Sequence, residues 1–185
     1  MGNVVIDMSM SLDGYISAPN DVPGQGLGED GMRLHNWAFD DPAVMERVLG
    51  NTDETGAVIM GRRTYDNSIG EWGNKGPLGD TPCFVVTHRP FEAPDPVFIV
   101  TDDIQGALAQ AQAAAGDRPI GVMGANLPRQ YLAAGLVDEI RIHVVDVLLG
   151  DGRRLFETLP ERIDLEQTEL YEAGGVAHVT YRVVR

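Results

Sequence analysis

The sequence predicts an α/β fold, a three-layer αβα sandwich built on a mixed, mostly parallel sheet with antiparallel C-terminal strands. Three observations carry this reading. Short apolar runs alternate with helix-like segments along most of the chain; several of those runs end in a glycine or a polar cluster just before a helix; and the tail switches to alternating apolar and polar residues around Gly174-Gly175.

The elements follow in order. Val4 to Met10 reads as a first strand, closed by the turn signal Asp13-Gly14 and followed by a Pro- and Gly-rich loop to about Gly31. Asp41-Pro42 gives an N-cap with proline at the first helical position, and Val44, Met45, Val48 and Leu49 recur at helical spacing. Ala57 to Met60 is a second strand running into Gly61-Arg62-Arg63-Thr64-Tyr65, a helix start. Pro82 to Val86 and Val97 to Val100 are further strands, and Thr101-Asp102-Asp103 caps an alanine-rich helix, Ile104 to Ala115, closed by Gly116. Ile120 to Met123 precedes Gly124-Ala125-Asn126-Leu127-Pro128, which opens a helix ending near Ala134. In the tail, Ile140, Ile142 and Val144 alternate with polar residues, and Leu165 to Tyr171 pairs with Val176 to Val184 as a hairpin.

With 185 residues, 43% hydrophobic and 23% charged, the chain is expected to form a single domain with a substantial core. A formal net charge of −14 argues against a nucleic-acid partner, because phosphate backbones require a basic face. The lone Cys83, within an apolar run, reads as a buried strand thiol that can form neither an internal disulfide nor a thiolate metal cluster; no metal site is expected. The N-terminal segment has no basic signal region, and no apolar stretch approaches the roughly 20 residues needed to span a bilayer, so a cytoplasmic protein without membrane partners is expected.

Gly26-Leu27-Gly28-Glu29-Asp30-Gly31 matches the dinucleotide-binding glycine string, but a long loop separates it from the first strand, whereas the mechanism requires the string between a strand and a helix. It reads as a lid. Better placed are Gly61-Arg62-Arg63-Thr64 and Gly124-Ala125-Asn126, where a glycine permits close approach of a ligand to a positive helix end. Thr87-His88-Arg89-Pro90 lies just past another strand end. With only 14 Lys plus Arg, the placing of Arg62, Arg63 and Arg89 at such ends suggests a gathered anion site.

The series Ser11-Leu12-Asp13-Gly14-Tyr15-Ile16, Met60 to Tyr65, Val85 to Pro90, Gly135 to Ile140 and Leu148-Leu149-Gly150-Asp151-Gly152 resembles the RibD C-terminal family of dihydrofolate-reductase-like proteins. The resemblance implies an NADPH-dependent reductase acting on a small heterocyclic or carbonyl substrate, with the cofactor across the carboxyl edge of the sheet. It implies phosphate contacts at Gly61, Arg62, Arg63 and Thr64, an adenosine 2′-phosphate near Thr87, His88 and Arg89, and a pyrophosphate passing Gly124, Ala125, Asn126 and Leu127. Asp13, Gly14, Tyr15 and Ile16 would border the nicotinamide. Riboflavin-pathway members usually carry Val-Glu-Gly-Gly where this chain has Val122-Met123-Gly124-Ala125, so the substrate differs from theirs in prospect. True dihydrofolate reductases place a proline before the tryptophan that corresponds to Trp37, and Asp40, Asp41 and Glu46 give no clear match to their carboxylate. Asp41 reads as a helix cap.

The acid most telling for chemistry is Asp7, which interrupts a central strand where a carboxylate is costly unless hydrogen-bonded or open to a pocket. By alternation it shares a face with Val5 and the small Ser9, which leaves room for a ring, and it is the expected catalytic carboxylate. His143 reads as a sheet or interface residue. A homodimer is expected from the strand Ile140 to Val147 and the terminal hairpin. A non-catalytic nucleotide-binding protein is the alternative, because no proton donor is unambiguous.

Overall fold

A computed structural model describes the chain except residues 41, 42, 45, 46, 48–53, 74, 90 and 185. The expected cap Asp41-Pro42, together with Met45, Glu46, Val48, Leu49 and Pro90, lies outside the described residues.

The strands are β1 (Val4–Ser11), β2 (Tyr15–Ser17), β3 (Ala57–Gly61), β4 (Cys83–Val86), β5 (Phe98–Thr101), β6 (Ile120–Met123), β7 (Glu139–Val145), β8 (Arg153–Arg154), β9 (Leu165–Ala173) and β10 (Val176–Val183). Eight of them form one sheet in the order β5-β4-β3-β6-β1-β7-β10-β9, parallel from β5 to β7 and antiparallel at the last two strands. The predicted fold class is therefore found. Strands β2 and β8, both short and not foreseen, form a separate two-stranded ribbon.

Helices α1 (Asn36–Asp40), α2 (Arg62–Ser68), α3 (Ile104–Ala115) and α4 (Asn126–Ala133) cover the sheet. On one face Ile6, Ile59, Phe84, Ile120, Val122, Ile140 and Ile142 pack with Leu108 and Ala111 of α3 and with Leu127 and Tyr131 of α4. On the other, Val58, Met60, Cys83 and Val85 meet Tyr65 of α2. Strands buried on both faces have to be apolar throughout, which is why β3 and β4 read as continuous hydrophobic runs rather than alternating ones. Burial pushes the Cys83 thiol up to about 12, consistent with the inert strand cysteine expected.

Strand β9 is the edge, with most of its residues exposed, and Gly174 and Gly175 make the hairpin turn at φ of 59° and 71°. This relocates the apolar edge anticipated at Ile140 to Val147. Strand β7 lies inside the sheet between β1 and β10, and Ile140 and Ile142 are spent on the core. Among the described residues, no helix is long and apolar enough to cross a membrane.

Candidate active site

Two adjoining cavities open over the carboxyl ends of the parallel strands. The first, of about 470 Å³, lies over β3, β4 and β6 and is lined by Gly61, Arg62, Arg63, Thr64, Thr87, His88, Asp102, Ala125, Asn126 and Leu127, among others. The second, of about 390 Å³, lies over β1 and β7 and is lined by Asp7, Ser9, Ile16, Gly26, Leu27, His35, Trp37 and His143, among others. Arg63, Thr64, Met123, Ala125 and Arg153 border both, so the two form one cleft.

The helix starts at this cleft differ from one another. Helix α3 is capped by Asp103, whose carboxylate accepts from Gly106 N at 2.7 Å, whereas neither Gly61 before α2 nor Ala125 before α4 supplies a side-chain cap. No side-chain cap at Ala125 claims the first-turn N–H groups of α4, those of Asn126 and Leu127, which suits an anion-binding helix start. Gly124 sits at φ +94°, and a Cβ there would come within 2.5 Å of Thr64 Oγ1, so glycine is needed for α2 and α4 to approach this closely. At Gly61 a Cβ would meet nothing within 4 Å, which leaves open space above that backbone.

The arginines are only partly free. Arg62 Nε donates to Asp66 at 2.6 Å and its guanidinium lies over the Phe91 ring. Arg63 and Arg153 both donate to Asp21, at 2.8 and 3.2 Å, clamping the loop after β2 onto α2 and β8. Burial works against ionisation of Asp21, yet the two guanidiniums hold its carboxyl below its ordinary value. Two arginines sharing one carboxylate keep a net positive charge where the cavities meet.

The floor of the second cavity is polar and tightly bonded. Asp7 Oδ1 lies 2.8 Å from His143 Nε2, with side-chain exposures of 24% and 8%. The Trp37 indole donates to Ser9 Oγ at 3.2 Å and to Leu34 O at 2.9 Å. Ser9 therefore does not itself leave room for a ring, since Trp37 occupies the space over it and forms a wall instead. Among the described residues, buried His35 Nδ1 has no hydrogen-bond partner, and burial, helped by nearby His143, lowers its pKa to about 4, which keeps this ring neutral.

A family model for the RibD C-terminal domain matches residues 3–179. The chain belongs to the RibD C-terminal domain family. This is a reductase-type family, and RibD-like reductase domains generally use NADPH. Among curated proteins, the uncharacterized protein YyaP of Bacillus subtilis (strain 168) is 24% identical over 193 residues, covering 96% of this chain and 93% of its own. Three solved structures share the fold: a candidate riboflavin biosynthesis protein of Shewanella sp. PV-4 (21% identity, TM-score 0.72, all of both chains), a pyrimidine reductase-like protein of Corynebacterium diphtheriae (14%, 0.64, all of this chain and 92% of that one) and RibD of Acinetobacter baumannii (18%, 0.65, all of this chain and 59% of that one).

Within this RibD C-terminal fold, most of the residues singled out from the sequence meet at the cleft. Gly61, Arg62, Arg63, Thr64, Thr87, His88, Ala125, Asn126 and Leu127 line the first cavity, and Asp7, Ile16, Arg63, Thr64, Gly124 and Ala125 the second. Asp13, Gly14 and Arg89 line neither. The Ser11 hydroxyl, then the N–H groups of Gly150 and Leu149, bind the Asp13 carboxylate and lower its pKa to about 2, so Asp13 is a fastener for the 149–150 turn. Gly14, at φ +92°, closes the turn after β1 beside Arg154. Arg89 is exposed beyond a turn in which its N–H donates to Thr87 Oγ1, and the acidic Asp102 lies at that end of the cavity instead.

The RibD-type glycine junctions thus hold the cleft, and the Gly26 to Gly31 string does not begin a helix of the sheet. Gly26 and Leu27 form cavity wall, as suits its reading as cover rather than a phosphate loop. Asp21, Arg153 and the contact of His143 with Asp7 do not stand out in the sequence alone. Arg153 directly follows the Leu148 to Gly152 motif, the one local mark of its position.

Proposed function

We propose that this protein is an NADPH-dependent reductase that delivers hydride to a small heterocyclic or carbonyl substrate held above Asp7. The observation that carries the reading is the continuity of the cleft: a groove edged by uncapped helix starts and arginines opens, past Thr64 and Ala125, into a pocket whose floor holds an Asp–His pair. Bound NADPH would supply the hydride. Gly61, Arg62, Arg63, Thr64 and the start of α4 would hold its phosphates, with His88 near the adenosine end. Trp37 and Ile16 would flank the substrate, excluding water and limiting the pocket to a flat ring or small carbonyl. Asp7, bonded to His143, would present a proton to the substrate nitrogen or oxygen as charge develops there. That pair answers the lack of a proton donor that favoured a merely nucleotide-binding protein.

The deciding experiment follows NADPH oxidation against a panel of pterins, flavin precursors and small carbonyls. Consumption with one class supports the reading, and tight NADPH binding with no consumption across the panel would favour the nucleotide-binding protein. Preference for NADPH over NADH is expected to be at least about tenfold in affinity, from one charge-assisted contact of about 1.5–3 kcal/mol to the extra phosphate. Equal dissociation constants by fluorescence titration would instead assign Asp102 to the ribose hydroxyl of NADH.

We also propose a homodimer, now argued from β9, whose long free edge carries exposed Leu165 and Leu170. Light scattering at micromolar concentration is expected to give twice the chain mass. A monomeric mass would remove this proposal.

A further inference from the structure

Behind the Asp7–His143 contact the hydrogen-bond chain continues. His143 Nδ1 lies 2.7 Å from His178 Nδ1, and His178 Nε2 lies 3.1 Å from the carbonyl oxygen of Ala173. These residues come from β1, β7, β10 and the end of β9, and the pairing brings them together: Ser9 is opposite His143, and His143 is opposite His178.

A carbonyl oxygen only accepts, so His178 Nε2 carries a hydrogen. The Nδ1–Nδ1 contact joins two atoms that repel as lone pairs unless one hydrogen lies between them. The His143 Nε2–Asp7 Oδ1 contact, at 2.8 Å, has the same requirement. Three hydrogens are therefore shared along the chain, while two neutral imidazoles supply only two. The third is an acid proton.

We propose that Asp7, His143 and His178 hold this one acid proton in common and deliver it into the substrate cavity, with His143 a second catalytic residue and His178 a positioning residue acting through it. The delivery step rests on the reductase reading above. The shared proton does not.

The surroundings suit such a store. The Trp37 ring lies 4.8 Å from the His143 ring and 4.9 Å from that of His178, and Tyr171 stacks on His178 at 4.7 Å, which screens the nitrogen–nitrogen contact from water. The charges facing it largely offset one another. Arg141 is 3.8 Å from Asp7 and is itself bound by Glu139; Arg47 and Glu169 act on Tyr171 from outside; His35, beside His143, is kept neutral by burial. Burial also lowers the His178 pKa, favouring the proton toward Asp7 rather than away from it.

Asp7 and His143 border a further cavity of about 270 Å³, lined also by His178, Arg141 and Thr180. The chain therefore faces the substrate on one side and a polar recess on the other. In one turnover the substrate's nitrogen or oxygen would take the proton from the Asp7–His143 pair, while bound NADPH would supply the hydride to the adjoining double-bonded carbon. The triad, neutral before the step, then carries one negative charge and recovers neutrality by taking a proton from water in the recess.

The test uses nitrogen-15-labelled protein without ligand, where the four histidines give four imidazole systems. Near neutral pH the spectrum is expected to show hydrogen on His178 Nε2, one hydrogen shared by the two Nδ1 atoms, and a downfield proton between His143 Nε2 and Asp7. Raising the pH is expected to move the Asp7 carboxyl carbon and the His143 ring together in one coupled step. Two singly protonated rings beside an ionised Asp7 at neutral pH, or separate titrations of Asp7 and His143, would overturn the shared proton whatever the activity. His178→Phe is expected to shift the pH profile of kcat and leave the KM for NADPH unchanged; an unmoved profile would remove His178 from the relay. Failure of every substrate in the panel, with the shared proton seen, would sink delivery and the reductase reading together.

Discussion

Asp7→Asn is expected to lower turnover about a hundredfold or more, the usual scale of acid–base help, while leaving NADPH affinity nearly unchanged. The substitution is informative because the asparagine amide still donates to His143 Nε2. The 2.8 Å contact and the packing of Trp37 around it survive, and only the transferable proton is removed. Steady-state rates on the substrate found in the panel and a fluorescence titration of NADPH check the two halves separately. Loss of folding would favour a structural duty for Asp7, and unchanged turnover would exclude it from the chemistry.

Gly152→Ala is expected to cost about 3 kcal/mol of stability, from backbone strain of about 1–3 kcal/mol and a comparable penalty for overpacking. Gly152 has φ +130°, and a Cβ there would lie 2.1 Å from Ser17 O and 3.0 Å from the carbonyl carbon of Ala18, backbone atoms that cannot rotate away. The ribbon of β2 and β8 would have to part. Arg153, next along the chain, pairs with Asp21 and borders both cavities, so cofactor binding should weaken along with stability. Urea denaturation of the two proteins measures the first effect; an unchanged midpoint would show that the ribbon yields freely.

What the sequence disclosed, it disclosed through local physics. The strand-to-helix junctions at Gly61 and Gly124 were legible because a glycine, a basic residue and a change of period lie within a few positions. The terminal hairpin was legible because alternation and a two-glycine turn both point to it. Asp13 shows the limit of such signals: a conspicuous acid at a turn binds the N–H groups of Gly150 and Leu149, far away in sequence. At Arg89 the strand end shows where the side chain begins and not which way the following turn carries it. Alternation put His143 on a strand face, but only the parallel pairing of β7 with β1 brings that face to Asp7, and no local signal encodes that neighbour.

The same pairing bears on how the chain acquires its site. The Asp7–His143 contact closes a span of 136 residues, and the Asp13–Gly150 and Arg154–Asp13 contacts span 137 and 141. The β9–β10 hairpin, by contrast, closes through two residues. Loop-closure entropy opposes each distant contact until much of the sheet exists to reward it, so such pairings form slowly and together. The acid at the cavity floor is thus among the last features a refolding chain assembles, and recovered catalysis reports the completed sheet rather than any early part of it.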